Sequence, residues 1–278
     1  MFNARDLLGQ LLDSRLDGSK TTANRLNHAL GPQGLGGTNG PLASLFGGQS
    51  HRAAGQQGGL AGIMDMAKGL FDGASREVRS GNPLALGSLG ALAGAVMGGG
   101  GGKSAGGALG GGALAFLGTL AYQAMRGQNQ VPEPQDTKDF TRQAPLGLRE
   151  PQNSREEQEL DRRALLIVRA MISAAKADGE IDKVEVERIT GKIDEAGLGQ
   201  DALVFIQKEI EKPVGADDLI REVGSKEVAL EVYAASLLAI EVDTEAEKRY
   251  LRGLAGGLGL EGSMVRYLHQ SLGAPAPA

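Results

Sequence analysis

The sequence contains no cysteine and no tryptophan, and only ten of its 278 residues are phenylalanine or tyrosine. The absence of cysteine excludes a disulfide framework, a thiolate metal site and a cysteine nucleophile. With so few aromatic side chains, the chain has little material for a sugar-binding cleft. The H-E-x-x-H motif of zinc proteases is also missing, and the glycine-rich patterns of the chain do not follow a predicted strand, which is the context that esterase and dinucleotide-binding motifs require. We therefore expect a protein without catalytic activity.

Glycine and charge are distributed unevenly between the two halves of the chain. Residues 1–130 hold 31 of the 44 glycines and a net charge of +4, whereas residues 131–278 carry a net charge of −9. The glycine-rich half is short of the residues that fill a soluble core, so we expect the compact domain at the C-terminal end. The acidic half has no basic stripe that could neutralise phosphates, which argues against nucleic acid as a partner.

The first 82 residues are expected to form a largely disordered region with short amphipathic helices. Leucines recur at helical spacing within residues 2–16, and a second apolar face is readable over 60–78. Charges interrupt the apolar positions of the N-terminal segment, so it does not match a cleaved secretory signal. The first helix could dock on a membrane surface or a partner, but packing against the chain's own apolar half is favoured because its polar face is not basic.

Residues 83–126 form a glycine-rich apolar tract whose only charge before Arg126 is Lys103. The tract divides into two arms, 84–102 and 105–125, each close to the length that crosses a bilayer as a helix. Glycine recurs every fourth residue from Gly90 to Gly110, a spacing that lets helices pack closely in lipid. The pattern predicts a membrane hairpin with a glycine zipper, through which copies of the chain could associate. The alternative is a flexible low-complexity linker.

Basic residues flank the tract on both sides, which favours a hairpin with both termini cytoplasmic. The expected location is therefore a bacterial inner membrane with a cytoplasmic C-terminal domain, and the alternative is a cytoplasmic protein. Residues 127–154 contain four of the ten prolines and are expected to be an extended linker.

Residues 155–274 are expected to be an all-α bundle of about seven helices, because apolar residues recur at steps of three and four and no alternating run of strand length appears. The predicted helices cover 156–177, 183–196, 200–211, 216–222, 226–240, 245–257 and 262–272. Two junctions carry the S/T/D-x-x-E pattern of an N-terminal capping box, at Asp182–Glu185 and Thr244–Glu247. The repeat indicates two related helix pairs within one bundle.

An acidic turn precedes each of these helix starts. The segment from Lys176 to Asp182 reads K-A-D-G-E-I-D, and the segment from Glu241 to Glu247 reads E-V-D-T-E-A-E. This arrangement resembles the TerB-like domain of tellurite-resistance proteins. The N-A-x-x-L-L start, the Gly/Ala-rich middle and the turn from Ala239 to Glu247 resemble the YebE-type inner-membrane proteins of unknown function. These resemblances imply a helical bundle on a membrane tether, a role in stress responses, and acidic residues that bind a divalent metal.

Carboxylates at alternate positions of a glycine-containing turn suit Ca²⁺ or Mg²⁺. The candidate metal ligands in the first turn are Asp178, Glu180 and Asp182, to which the resemblance adds Glu185. The resemblance adds Asp243 and Glu247 in the second. The alternative is that these acids are N-caps and first-turn residues favoured by the helix dipole. Two functions remain open: a membrane-tethered module that binds another protein, or a sensor in which the acidic turns bind a divalent ion.

Overall fold

The computed structural model describes residues 2–14, 21–30, 106–126, 146–147, 151–179, 181, 183–212 and 215–277, and within them it is all-α. We number the helices of this described part in chain order: α1 Ala4–Ser14, α2 Thr21–Leu30, α3 Gly106–Arg126, α4 Ser154–Ala175, α5 Lys183–Glu195, α6 Gln200–Glu211, α7 Asp217–Glu222, α8 Lys226–Leu238, α9 Glu245–Gly257 and α10 Gly262–Ser271. The seven C-terminal helices agree with the predicted ones to within two residues at each end.

Side-chain caps fix the starts of several helices. Asn153 accepts a hydrogen bond from the backbone N–H of Glu156 at 3.0 Å and so begins α4. The predicted capping box at Thr244 is present, with Thr244 and Glu247 each accepting the other's backbone N–H. Each such cap satisfies donors that the first turn of a helix leaves free. Asp182, the first residue of the other predicted box, lies outside the described residues.

Helix α8 is the centre of the bundle. Every residue from Val228 to Leu238 is buried, and the helix packs against α4 on one side and α3 on another. A helix that is apolar around its whole circumference is stable only inside a core. Its position brings its C-terminal end, and the turn after it, beneath α9 and α10.

The core extends beyond the C-terminal region in which the sequence predicts the compact domain. Helix α1 packs against α3 and α4, and α3 also packs against α8. Helices α1 and α3 therefore belong to the same apolar cluster as the C-terminal helices. Leu7, Leu8, Leu117 and Leu120 are completely buried there. Of the two alternatives for α1, the structure therefore has the helix packed on the chain's own apolar residues.

The second arm of the predicted membrane hairpin corresponds to α3, while the first arm, 84–102, and the predicted helix at 60–78 lie outside the described residues. Every residue of α3 from Ala113 to Tyr122 is buried. Among the described helices, none combines the length and the hydropathy required to cross a membrane.

Candidate ligand-binding cleft

A cleft of about 430 Å³ lies between α9, α10 and the turn that follows α8. Its walls are apolar side chains, its floor is polar, and its rim carries three cationic residues. Its lining includes Tyr233, Val242, Lys248, Leu251, Arg252, Leu260, Val265, Arg266, His269 and Pro277. The cleft is partly open to solvent, and its volume falls within the range of known small-molecule sites.

The turn between α8 and α9 shapes one wall of the cleft. Val242 has a φ of 65°, a conformation that a β-branched residue rarely adopts, and its side chain is nevertheless buried. Arg25 of α2 holds this turn: its guanidinium donates to the carbonyl oxygen of Leu237 and, at 2.8 Å, to that of Glu241. These bonds satisfy acceptors that the C-terminal end of α8 leaves free.

The floor of the cleft is a hydrogen-bonded pair, Tyr233 from α8 and His269 from α10. The Tyr233 hydroxyl lies 2.9 Å from Nε2 of His269, and Nδ1 of the same ring contacts the carbonyl oxygen of Pro275. Because a carbonyl can only accept, we assign the ring proton to Nδ1, which leaves Nε2 to accept from the tyrosine hydroxyl. Burial lowers the pKa of His269 and raises that of Tyr233, so both groups are held neutral.

The rim carries Lys248 and Arg252 from α9 and Arg266 from α10. Nζ of Lys248 is 2.8 Å from Oε1 of Glu245. In the described part of the chain no ion pair involves Arg252 or Arg266. The pKa of Glu245 is lowered chiefly by its bond to Lys248, with Arg252 adding a longer-range contribution. Two exposed guanidinium groups therefore stand beside an apolar cleft with their hydrogen-bond donors available.

The histidine of the cleft is fully hydrogen-bonded. Both ring nitrogens of His269 already have partners, so the ring cannot accept a further proton without breaking one of these bonds. The arginines at the rim stay protonated. The cleft thus combines an apolar interior with fixed positive charge at its mouth.

The predicted metal ligands are not brought together as a cluster in the residues that can be described. Glu180 and Asp182 lie outside the described residues. Asp178 and Asp243 are exposed, and Glu185 lies on α5. Within the described ranges no group of three potential ligand side chains could hold an ion. The metal site proposed for the turn from Asp178 to Glu185 thus stays a prediction.

Glu247 has a structural role in the fold. Its exposed fraction is 5%, and its Oε2 accepts hydrogen bonds from the backbone N–H of Thr244 at 2.9 Å, the backbone N–H of Asp243 at 3.1 Å and the Thr244 hydroxyl at 3.0 Å. A carboxylate oxygen with three donors is already satisfied. The geometry therefore agrees with the capping alternative for this acidic turn.

The cleft could not be predicted from the sequence. The bond between Tyr233 and His269 joins side chains 36 positions apart, so no local pattern indicates it. The one available signal was the pair of cations at Lys248 and Arg252, four residues apart on a helix in the acidic half. Arg25 gave no signal, because its partners are backbone carbonyls more than 200 positions away.

The fold and the cleft define a class: an all-α bundle with a cation-rimmed, apolar cleft at one end. The chain belongs to the DUF533 family, described as "Protein of unknown function", which matches residues 79–272. It is also similar to the "Uncharacterized protein in ampR 5'region" of Yersinia enterocolitica, with 33% identity over 109 residues, covering 39% of this chain and 78% of that protein. No solved structure matches. The family region contains α3 to α10 and most of the cleft, but not α1, α2 or Arg25.

Proposed function

We propose that this chain is a helical binding module without catalytic activity, and that the cleft between α9 and α10 is its recognition site. The observation that carries the proposal is the pair of exposed, unpaired arginines beside an apolar cleft. Exposed arginines on a helical surface are common, but two from different helices at the mouth of one apolar cleft are a feature of binding sites. The polar floor supports a binding role, since its hydrogen bonds are made within the protein.

Site-specific photo-crosslinking in living cells tests this function. A photoreactive amino acid replaces Lys248 at the rim in one variant, which leaves both arginines in place, and exposed Glu187 on α5 in the control. The cells are grown with and without tellurite stress, and mass spectrometry identifies the adducts. If the cleft is the recognition site, position 248 gives an adduct, with a small molecule or with a protein, that position 187 does not. An equal adduct pattern at both positions would remove the cleft from consideration. A tellurite-dependent change at position 248 alone would support the stress-related role that the TerB-like resemblance implies.

We further propose that the module acts at an inner membrane, in keeping with the resemblance to YebE-type proteins. What supports this is the tract over 83–125, in which Lys103 is the only charge. Because α3 uses its apolar side chains inside the bundle, attachment depends on residues 84–102. In the same proposal, two copies of the chain associate by close packing of the glycines that recur at every fourth position from Gly90 to Gly102.

Fractionation tests the membrane proposal with matched deletions. The full chain, a variant lacking 84–102 and a control lacking 32–50, which removes the same length, are each extracted from membranes with alkaline carbonate. We expect the full chain and the control to stay in the pellet and the variant lacking 84–102 to be released. Chemical crosslinking of the same three proteins should give dimers only where 84–102 is present. Release of the full chain by carbonate would overturn the membrane proposal and leave the binding function untouched.

A further inference from the structure

We propose that the ligand of the cleft is a small organic anion with an apolar body, such as a carboxylate or phosphate monoester on a short alkyl chain. The inference rests on the proposed binding function and specifies its chemistry. It is drawn from three features of the cleft: the apolar walls, the free guanidinium groups at the mouth, and the hydrogen-bond polarity of the floor.

The walls provide the site for an apolar body. Leu251 and Val265 are buried side chains that face the cleft from α9 and α10, Val242 faces it from the turn after α8, and half-buried Leu260 closes the loop between α9 and α10. An apolar body that enters the cleft leaves water for contact with these side chains. A bare inorganic anion makes no use of these contacts, so the apolar part contributes to selectivity.

The mouth provides the site for the anionic group. Arg252 and Arg266 come from different helices, and neither forms an ion pair with a described residue. Guanidinium groups bind carboxylate and phosphate oxygens through paired, charge-assisted hydrogen bonds. The surrounding half of the chain is acidic, with a net charge of −9 over residues 131–278. Attraction of an anion must therefore come from these local cations and not from the overall charge.

The floor sets the orientation of the ligand. The hydroxyl proton of Tyr233 is directed to His269, and the ring proton of His269 is directed to the carbonyl of Pro275. The floor thus presents acceptor lone pairs and no free donor, which disfavours an anionic group there. The apolar body therefore points inward along Leu251 and Val265, and the charged group stays at the rim between Arg252 and Arg266.

Titration calorimetry on the full chain tests this chemistry with four probes that share one alkyl body: octanoate, octyl phosphate, octanol and octylammonium. We expect saturable binding of one or both anions, and at least tenfold weaker binding of the alcohol and the amine. Octanoate should also bind more tightly than acetate, because acetate lacks the apolar body. Comparison of octanoate with octyl phosphate identifies which anionic group the arginines prefer.

Two double variants with the same change in net charge separate the cleft from general attraction. R252Q/R266Q removes the rim cations, and R162Q/R221Q removes two arginines whose side chains are 74% and 71% exposed elsewhere on the bundle. We expect the first to weaken anion binding at least tenfold and the second to leave it within twofold. Circular dichroism melts check that both variants stay folded, which is expected because all four side chains are exposed.

Three outcomes would overturn the inference. Equal binding of octanol and octanoate would show an apolar site without anion recognition, and equal loss in the two double variants would show non-specific attraction. Failure of all four probes, together with a protein adduct from the photoreactive group at position 248, would show that the cleft binds an acidic protein segment instead. In that last case the proposed binding function stands. If the calorimetric probes do not bind and the photo-crosslinking gives no adduct specific to the cleft, the proposed binding function is overturned as well.

Discussion

Arg25 shows how one side chain can connect distant parts of the chain. Its guanidinium is almost completely buried and is satisfied by backbone carbonyls at the end of α8. A hydrogen bond to a charged group contributes roughly 1.5–3 kcal/mol. Because the same turn forms a wall of the cleft, Arg25 positions the cleft without lining it.

We predict that Arg25→Ala lowers the free energy of unfolding by about 2–3 kcal/mol, since it removes the donor to the buried carbonyl of Leu237 and to the carbonyl of Glu241. Urea denaturation followed by circular dichroism measures the change. Arg162→Ala is the matched control, because Arg162 is an exposed arginine whose ion pair with Glu159 spans one helical turn. Its effect should stay within about 0.5 kcal/mol. Equal effects of the two substitutions would contradict a structural role for Arg25.

Glu231 is the most perturbed carboxyl of the bundle. Its exposed fraction is 1%, its Oε1 lies 3.6 Å from Nη1 of Arg163, and its Oε2 has no hydrogen-bond partner. Burial raises the pKa of this carboxyl from 4.5 to about 8, a shift that Arg163 opposes and Glu227 reinforces. Arg163 also bonds Glu227 at 2.8 Å and lies 3.9 Å from Glu159, so its charge is shared among three acids.

A pH dependence of stability follows from this shift. Because the folded-state pKa lies above the unfolded value, the stabilisation is fully present below about pH 4.5 and is lost as the pH rises through about 8. We predict that Glu231→Gln, which cannot ionise, flattens this part of the profile and makes the protein more stable than the wild type at about pH 8. Urea midpoints at about pH 5 and about pH 8 measure the effect. A Glu187→Gln control, on exposed α5, should keep the wild-type slope, and an unchanged slope in E231Q would refute the assignment.

At the scale of the element, the C-terminal helices were predictable and the role of α3 was not. Most of the helices from α4 to α10 have clear apolar spacing, and α4, α8 and α9 begin at polar caps such as Thr244, which are local signals. Helix α3 has glycine and apolar residues around its circumference, and this composition suits both a bilayer and a protein interior. The choice between them depends on α1 and α8, which are distant in sequence. The cleft could not be predicted from the sequence for the same reason, since Tyr233, Arg252 and His269 come together only in the folded bundle.

The packing of α3 gives a prediction at this scale. Leu117 is fully buried between helices, whereas Gln123 on the same helix is half-buried. We expect Leu117→Ala to lower the free energy of unfolding by about 2–5 kcal/mol, because it leaves a cavity in the core. Gln123→Ala should change it by about 0.5 kcal/mol or less. If α3 faced lipid and not the bundle, the two substitutions would have similar effects on urea unfolding of the purified protein.

At the scale of the whole molecule, the N-terminal helix links the two halves of the chain. Helix α1 contacts α3, α4 and α5, and Nε of Arg5 lies 2.9 Å from Oδ1 of Asp161 on α4. Helix α3 in turn contacts α8. The described helices therefore form one continuous core in which α8 depends on α1 through α3, although the two are more than 200 positions apart.

This connection predicts cooperative unfolding that can be measured at a distance. Leu8 is fully buried in α1, and Gln10 lies on the same helix with partial exposure. Leu8→Asp places an unpaired charge in the core and should destabilise the fold by more than about 3 kcal/mol. Gln10→Asp adds the same charge at an accessible position and should cost about 0.5 kcal/mol or less.

Native-state hydrogen exchange of the α8 amides measures how strongly each substitution destabilises a helix far from α1. If α1 and the C-terminal helices unfold as one unit, L8D accelerates exchange throughout residues 226–238 and Q10D does not. Unchanged protection of α8 in L8D would mean that the C-terminal helices fold independently of α1.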